Sequence, residues 1–275
     1  SLIPCQKSVQ LDPQDAKAHN NLAIILLLQS RLEEAETSLR QAIKLKPDLA
    51  EAHNNLGIIF QKHRKFTEAC SAYIQAINFN PDFTDAYENL GMVIKKVRFN
   101  SSNVELYPLL IRLLSIGNFV RPRDLASSIL SLLKHDPLIK NLLLEKNFAT
   151  NLKEANFIIG SLDKLKLLHH LMRVCPLPDL QFERFFVTMR NLLLKNLDNI
   201  EASSEFINFI STLSLHCFTN EYVYFEKEQE TESIKSLEAE IMQTINKSEQ
   251  PEAKKILCLA SYRPLHQYNW CQKLE

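Results

Sequence analysis

The sequence predicts an all-α chain: a stack of helical hairpins followed by a Leu-rich helical domain. Three observations carry that expectation. Pro13, Pro47 and Pro81 recur every 34 residues, and self-similarity at such a period marks a repeat array. Apolar residues fall at helical spacing in the windows between turn signals. No window alternates apolar and polar residues well enough to argue for a strand. The 275 residues, 45% of them hydrophobic, suffice for a sizeable core in one to three domains.

Residues 1–12 read as the second helix of a truncated repeat. Full repeats follow at 16–49 and 50–83, and a third starts at 84. The same offset carries Ala18 to Ala52 and Ala86. It carries His19-Asn20-Asn21-Leu22 to His53-Asn54-Asn55-Leu56 and then to Tyr87-Glu88-Asn89-Leu90. Ala23 becomes Gly57 and Gly91; in the second half of the unit Ala35 maps to Ala69, Leu39 to Tyr73, Ala42 to Ala76 and Leu45 to Phe79. Small residues let two antiparallel helices approach closely, and Leu22, Leu26 and Leu39 fill the space beside them. The proline cannot extend the preceding helix and fixes the link to the next one.

Period, small residues, bulky residues and proline together resemble the tetratricopeptide repeat. His19, His53 and Tyr87 stand where that family often has Trp, and each still supplies a ring. The resemblance implies that the first helix of each repeat lines a concave groove whose partner is a protein or an extended peptide. Helical spacing puts Lys17, Asn20, Asn21, Ile24 and Leu28 on one face. Their equivalents are Glu51, Asn54, Asn55, Ile58 and Lys62, then Asp85, Glu88, Asn89, Met92 and Lys96. Asn21, Asn55 and Asn89 would form a ladder along the groove. An amide offers donors and an acceptor, so such a ladder can bond a peptide backbone; alternatively, the asparagines bond only within the repeat, between helices. The pattern is similar to the tetratricopeptide arrays of O-linked N-acetylglucosamine transferases. A carboxylate clamp of the chaperone-tail kind needs several basic groove residues, and Lys17, Glu51 and Asp85 do not supply them.

The repeat region is assigned to 1–97. Residues 98–103 break the period and read as a linker, and 104–275 as a helical domain. Helices are expected at Val104–Ile116, Pro122–Lys134 and Leu138–Lys146, with breaks at Arg121-Pro122 and Asp136-Pro137. Further helices are expected near 151–173, 179–197, 202–228, 231–246 and 251–261. Three phrases, Ile111–Pro137, Leu215–Tyr224 and Cys258–Leu265, resemble bacterial tetratricopeptide proteins fused to a class I S-adenosylmethionine-dependent methyltransferase. That resemblance implies the non-catalytic N-terminal part of a larger methyltransferase, with the catalytic domain beyond residue 275. The alternative is a helical scaffold that self-associates as a homo-oligomer through its Leu-rich helices, with no associated enzyme.

No catalytic, cofactor or metal site is expected within these residues. The 4 glycines do not cluster, whereas nucleotide sites need glycines where backbone approaches phosphate. Basic and acidic residues balance at 32 each, which gives no electrostatic case for nucleic acid or an anionic membrane. The longest apolar runs are too short to span a bilayer. Six cysteines without a CxxC pair read as reduced thiols in the cytoplasm. His216-Cys217 looks like a nucleophile pair, but neighbours on a helix diverge by about 100°; a polar helix face buried against a missing domain fits better. His169-His170 fails as a metal pair for the same reason. The acidic run 221–240 reads as a solvated helix face and turn, and Arg121, Arg123, Lys134 and His135 as an ordinary surface patch.

Overall fold

A computed structural model describes residues 2–116, 120–144, 152–222 and 224–274, and among these there is no strand. The chain divides into two units, Ser1–Arg98 with Ile116–Arg121 and Phe99–Ser115 with Pro122–Glu275.

The first unit is a run of antiparallel helices: α1 (Leu2–Leu11), α2 (Ala16–Leu28), α3 (Leu32–Leu45), α4 (Ala50–Lys62), α5 (Phe66–Phe79) and α6 (Thr84–Ile94). Asp15 caps α2 by accepting from the Lys17 N–H at 2.8 Å, which satisfies an orphan donor of the first turn. Both hairpins turn through a left-handed residue, Ser30 at φ 60° and Arg64 at φ 59°. The Arg31 and Lys65 N–H groups then bond back to Leu26 and Phe60 oxygens, closing the helix ends as a C-terminal cap does. The hairpin interior holds the predicted small and bulky residues: Ala23, Ala35, Leu39 and Ala42 are fully buried. In the next repeat Tyr73 lies directly over Gly57, where a Cβ would come within 2.5 Å of its ring. The rings at the Trp-like position explain themselves. His53 Nε2 donates to the Pro47 carbonyl at 2.8 Å and His19 Nε2 to that of Pro13 at 3.1 Å, which ties each first helix to the link before it.

The second unit contains α7 (Tyr107–Ile116), α8 (Pro122–Leu133), α9 (Pro137–Leu144), α10 (Leu152–Asp163), α11 (Lys166–Val174), α12 (Leu180–Asn196), α13 (Ser204–Thr219), α14 (Glu228–Asn246) and α15 (Ala253–Ala260). Residues 145 and 146 of the expected helix 138–146 lie outside the described residues. Asp136 makes the predicted break: its carboxylate accepts from the Leu138 N–H at 3.0 Å and from the buried Tyr107 hydroxyl at 2.9 Å. Two expected helices are divided. The stretch 151–173 leaves helical geometry at Leu165, with ψ 66°. The stretch 202–228 stops at Thr219, because Glu221 and Tyr222 adopt φ 53° and 57°. That turn is held by the Tyr222 N–H on the Cys217 oxygen at 3.0 Å and by Asn220 Nδ2 on the Tyr224 hydroxyl at 2.7 Å. The acidic run is not wholly solvated either. Glu230 is 2% exposed; it caps the Lys227 N–H at 2.8 Å and accepts from the Tyr262 hydroxyl at 3.0 Å.

His216 is fully buried in α13, and its Nδ1–H donates to the Met172 carbonyl at 3.2 Å. Burial pushes its pKa down to about 4, against a weaker opposing effect of the Met172 bond. The unfolded chain therefore takes up this proton near the ordinary value of 6.5, while the folded chain refuses it until about 4. Stability from this group is complete above the unfolded value. It falls as pH drops through the window and levels off below the folded value, for about 3 kcal/mol in total. His169, held low chiefly by burial, acts with the same sign. The single tryptophan, Trp270, is buried in this unit and reports its unfolding. Urea melts followed by Trp270 fluorescence should lose stability between neutral and mildly acidic pH. A His216→Asn variant, which keeps an N–H for Met172, should lose distinctly less.

Candidate peptide groove

The first helices pack on one another, α2 on α4 and α4 on α6. The 34-residue offset predicts an aligned asparagine row there, and the structure links it in a specific way. Asn55 Nδ2 donates to Asn20 Oδ1 at 2.9 Å, and Asn89 Nδ2 donates to Asn54 Oδ1 at 3.0 Å. Each bond joins consecutive repeats rather than the two helices of one repeat. Asn20 and Asn54, grouped with the groove by spacing, are 7% and 5% exposed and serve as buried acceptors. Asn55 and Asn89 are half-buried, and Asn21 is exposed. Glu88 occupies the third acceptor position and is exposed.

The remaining predicted groove residues divide by charge along the helix axes. Lys17, Glu51 and Asp85 are exposed in the first turns of their helices. Ile24 is 37% exposed, and Ile58 and Met92 are half-buried along the middle of the wall. Toward the C-terminal ends, a recess of about 660 Å³ is lined by Ile58, Gln61, Lys62, Arg64, Phe66, Asn89 and Lys96. Gln61, Arg64 and Phe66 come from the last turn of α4 and the hairpin beyond it. Spacing on the first helix alone did not reveal them; the Leu28, Lys62, Lys96 row was the legible signal.

The reactive-looking residues of the second unit serve its interior. His216 packs with tilted rings against Phe186 and Tyr224, at 5.2 and 6.1 Å between ring centres. Cys217 is fully buried, and burial pushes its thiol up to about 12, far from a thiolate. His169 Nδ1 meets the Thr212 hydroxyl at 3.1 Å, whereas His170 Nε2 meets Ser115 at 3.1 Å, so the two rings diverge. Lys134 pairs with Asp179 at 2.5 Å. No group of three His, Cys, Asp or Glu among the described residues converges as metal ligands. No described helix is long and apolar enough to cross a membrane.

A family profile described as a TPR repeat matches residues 25–63, and two described as tetratricopeptide repeat match 5–37 and 50–83. Residues 5–83 are tetratricopeptide repeats. The chain is similar in structure to YrrB, described as a TPR protein with an unusual peptide-binding site. That pair is 16% identical, covering 81% of this chain and 98% of the other, with a TM-score of 0.37. It is also similar to Naa15/Naa10 bound to HypK-THB, at 12% identity and a TM-score of 0.41, covering 99% of this chain but 38% of that one. A comparison with curated proteins finds no match. The tetratricopeptide assignment accounts for the hairpins and for the small residues at their crossings. It makes protein binding the general role of this region.

Proposed function

We propose that the chain is a protein- or peptide-binding module whose tetratricopeptide groove receives an extended segment along Asn21, Asn55 and Asn89. The inter-repeat bonds carry this reading. Each fixes one amide N–H of Asn55 and Asn89 and leaves that side chain's oxygen and second N–H uncommitted. Such a pre-oriented donor and acceptor suits a peptide unit, because little side-chain freedom remains to be lost on binding. Asn21 separates recognition from stability, since it is exposed and makes no inter-repeat bond among the described residues. Asn21→Ala should weaken peptide binding about 2- to 12-fold, the worth of one hydrogen bond, with an unchanged melting temperature. Asn55→Ala should lower both, because the Asn20 oxygen is then buried without a donor. A partner is first isolated with the chain as bait. Full affinity in Asn21→Ala and Asn55→Ala alike would reduce the asparagines to holding the repeats together.

A second reading places this chain as the non-catalytic N-terminal part of a larger S-adenosylmethionine-dependent methyltransferase, with the groove presenting its substrate or partner. The three phrases that resemble such fusions support it. Reading the gene beyond residue 275 tests it directly: a glycine-rich strand-turn-helix downstream is expected, and an immediate stop would overturn it. In the stop case, light scattering asks whether the helical domain is a self-associating scaffold.

A further inference from the structure

We propose that the recess at the C-terminal ends of α4 and α6 is a subsite for a carboxylate side chain, and that the favoured ligand is an extended peptide with an apolar residue about four positions from that acid. This rests on the groove reading above and specifies its ligand.

The lining makes the case. Lys62, Arg64 and Lys96 bring three cations to one recess and no carboxylate, and none of the three forms an ion pair among the described residues. Lys96 sits over the Phe66 ring, 5.2 Å from its centre, which orders the ammonium without neutralising it. The two uncharged polar groups are turned the same way. Gln61 Oε1 accepts from the fully buried Tyr73 hydroxyl at 2.9 Å, so its amide N–H groups are its free end. Asn89 keeps a second N–H beyond the one lent to Asn54. Cations and amide donors thus face one space, and an anion satisfies all of them together. Lysines at helix ends also complement the helix dipole, but that does not account for the orientation of Gln61 or for the difference between repeats.

That difference supplies the second half of the motif. One repeat earlier, the equivalents of Lys62, Arg64 and Phe66 are Leu28, Ser30 and Leu32. Leu28 is 78% exposed and Ile24 37%, so the wall there is apolar and open. Packed helices lie about 8–10 Å apart, and an extended chain rises about 3.3 Å per residue. The recess lies between α4 and α6, about one and a half helix spacings from α2, so an apolar side chain on Leu28 and Ile24 lies about four residues from an acid in the recess.

The test uses the full chain and an array of Ala/Ser peptides carrying one Leu and one Glu, in both orders, at separations up to about six residues. Each has a Gln counterpart. Binding should peak at a separation of about four, and Gln should weaken it about 10-fold or more. In the Lys62→Gln/Lys96→Gln double variant the Glu-over-Gln preference should vanish, while circular dichroism and melting stay those of the parent. Equal binding of Glu and Gln peptides, or a preference that survives in the variant, overturns the subsite and leaves the groove reading standing. An array in which no peptide binds overturns both.

Discussion

Replacing Arg190 with Ala should destabilise the second unit by about 3–5 kcal/mol, the range for uncompensated buried polar groups and large cavities. Arg190 lies on α12 at 2% exposure. Its guanidinium donates to the Phe225 carbonyl at 3.0 Å and the Ser261 carbonyl at 3.3 Å. It also stacks 4.0 Å from the centre of the Tyr262 ring and 5.7 Å from that of Tyr224. Truncation leaves two carbonyls without their charge-assisted donor and two rings around a void. Nearby bonds depend on the same arrangement: Arg263 pairs with both Glu226 oxygens at 2.7 and 2.9 Å, and the Tyr262 hydroxyl rests on Glu230. Arg190→Lys should recover only part of the loss, because a point charge cannot reproduce the planar fork or its stacking. Urea unfolding followed by Trp270 fluorescence measures both variants. A change below about 1 kcal/mol for Arg190→Ala, the scale of an ordinary surface substitution or less, would mean that the site relaxes around the loss.

In the repeats, Tyr73→Ala should cost about 3–5 kcal/mol, measured by urea unfolding with far-ultraviolet circular dichroism. Tyr73 is fully buried, fills the space above Gly57 and bonds Gln61. The pairing also inverts a familiar rule. In an exposed helix Gly→Ala gains about 1 kcal/mol, whereas Gly57→Ala should lose about 1–3 kcal/mol by overpacking. Its new methyl would stand 2.5 Å from Tyr73 Cε1. The preceding repeat holds Ala23 and Leu39 at the same two positions, both fully buried, so size is exchanged across the helix crossing. Copying that solution, Gly57→Ala with Tyr73→Leu should recover much of the stability lost by Gly57→Ala alone. Simple addition of the two single losses would show that the positions do not share one space.

The contrast between these regions explains what was legible in the sequence. The period of 34 pairs small with bulky residues at fixed distances, so the hairpins and their links follow from comparing the chain with itself. Which asparagine is buried does not follow, because Asn20 and Asn21 are adjacent and both fall near the same face. Only the packing of α2 on α4 decides that Asn20 receives and Asn55 gives. In the second unit, Leu spacing shows helices but not their ends: Leu165 breaks a helix with neither Pro nor Gly beside it, and Glu221 and Tyr222 adopt positive φ without either residue type. Arg190 was missed because arginine reads as surface, although Phe182, Phe186, Met189 and Leu193 place it on the buried face. The phrases at Leu215–Tyr224 and Cys258–Leu265 share a physical reason: Tyr224 and Tyr262 both lie against that guanidinium.

The Asn20–Asn55 and Asn54–Asn89 bonds also bear on how the array comes apart. Each connects a repeat only to its neighbour, so the first unit behaves as a short one-dimensional chain of coupled links. A ligand laid along the row would bridge both links at once and make their opening more concerted. Losing either link would instead let the repeats on its two sides fray separately. These hydrogen bonds thereby set the length over which the first helices can respond as one body.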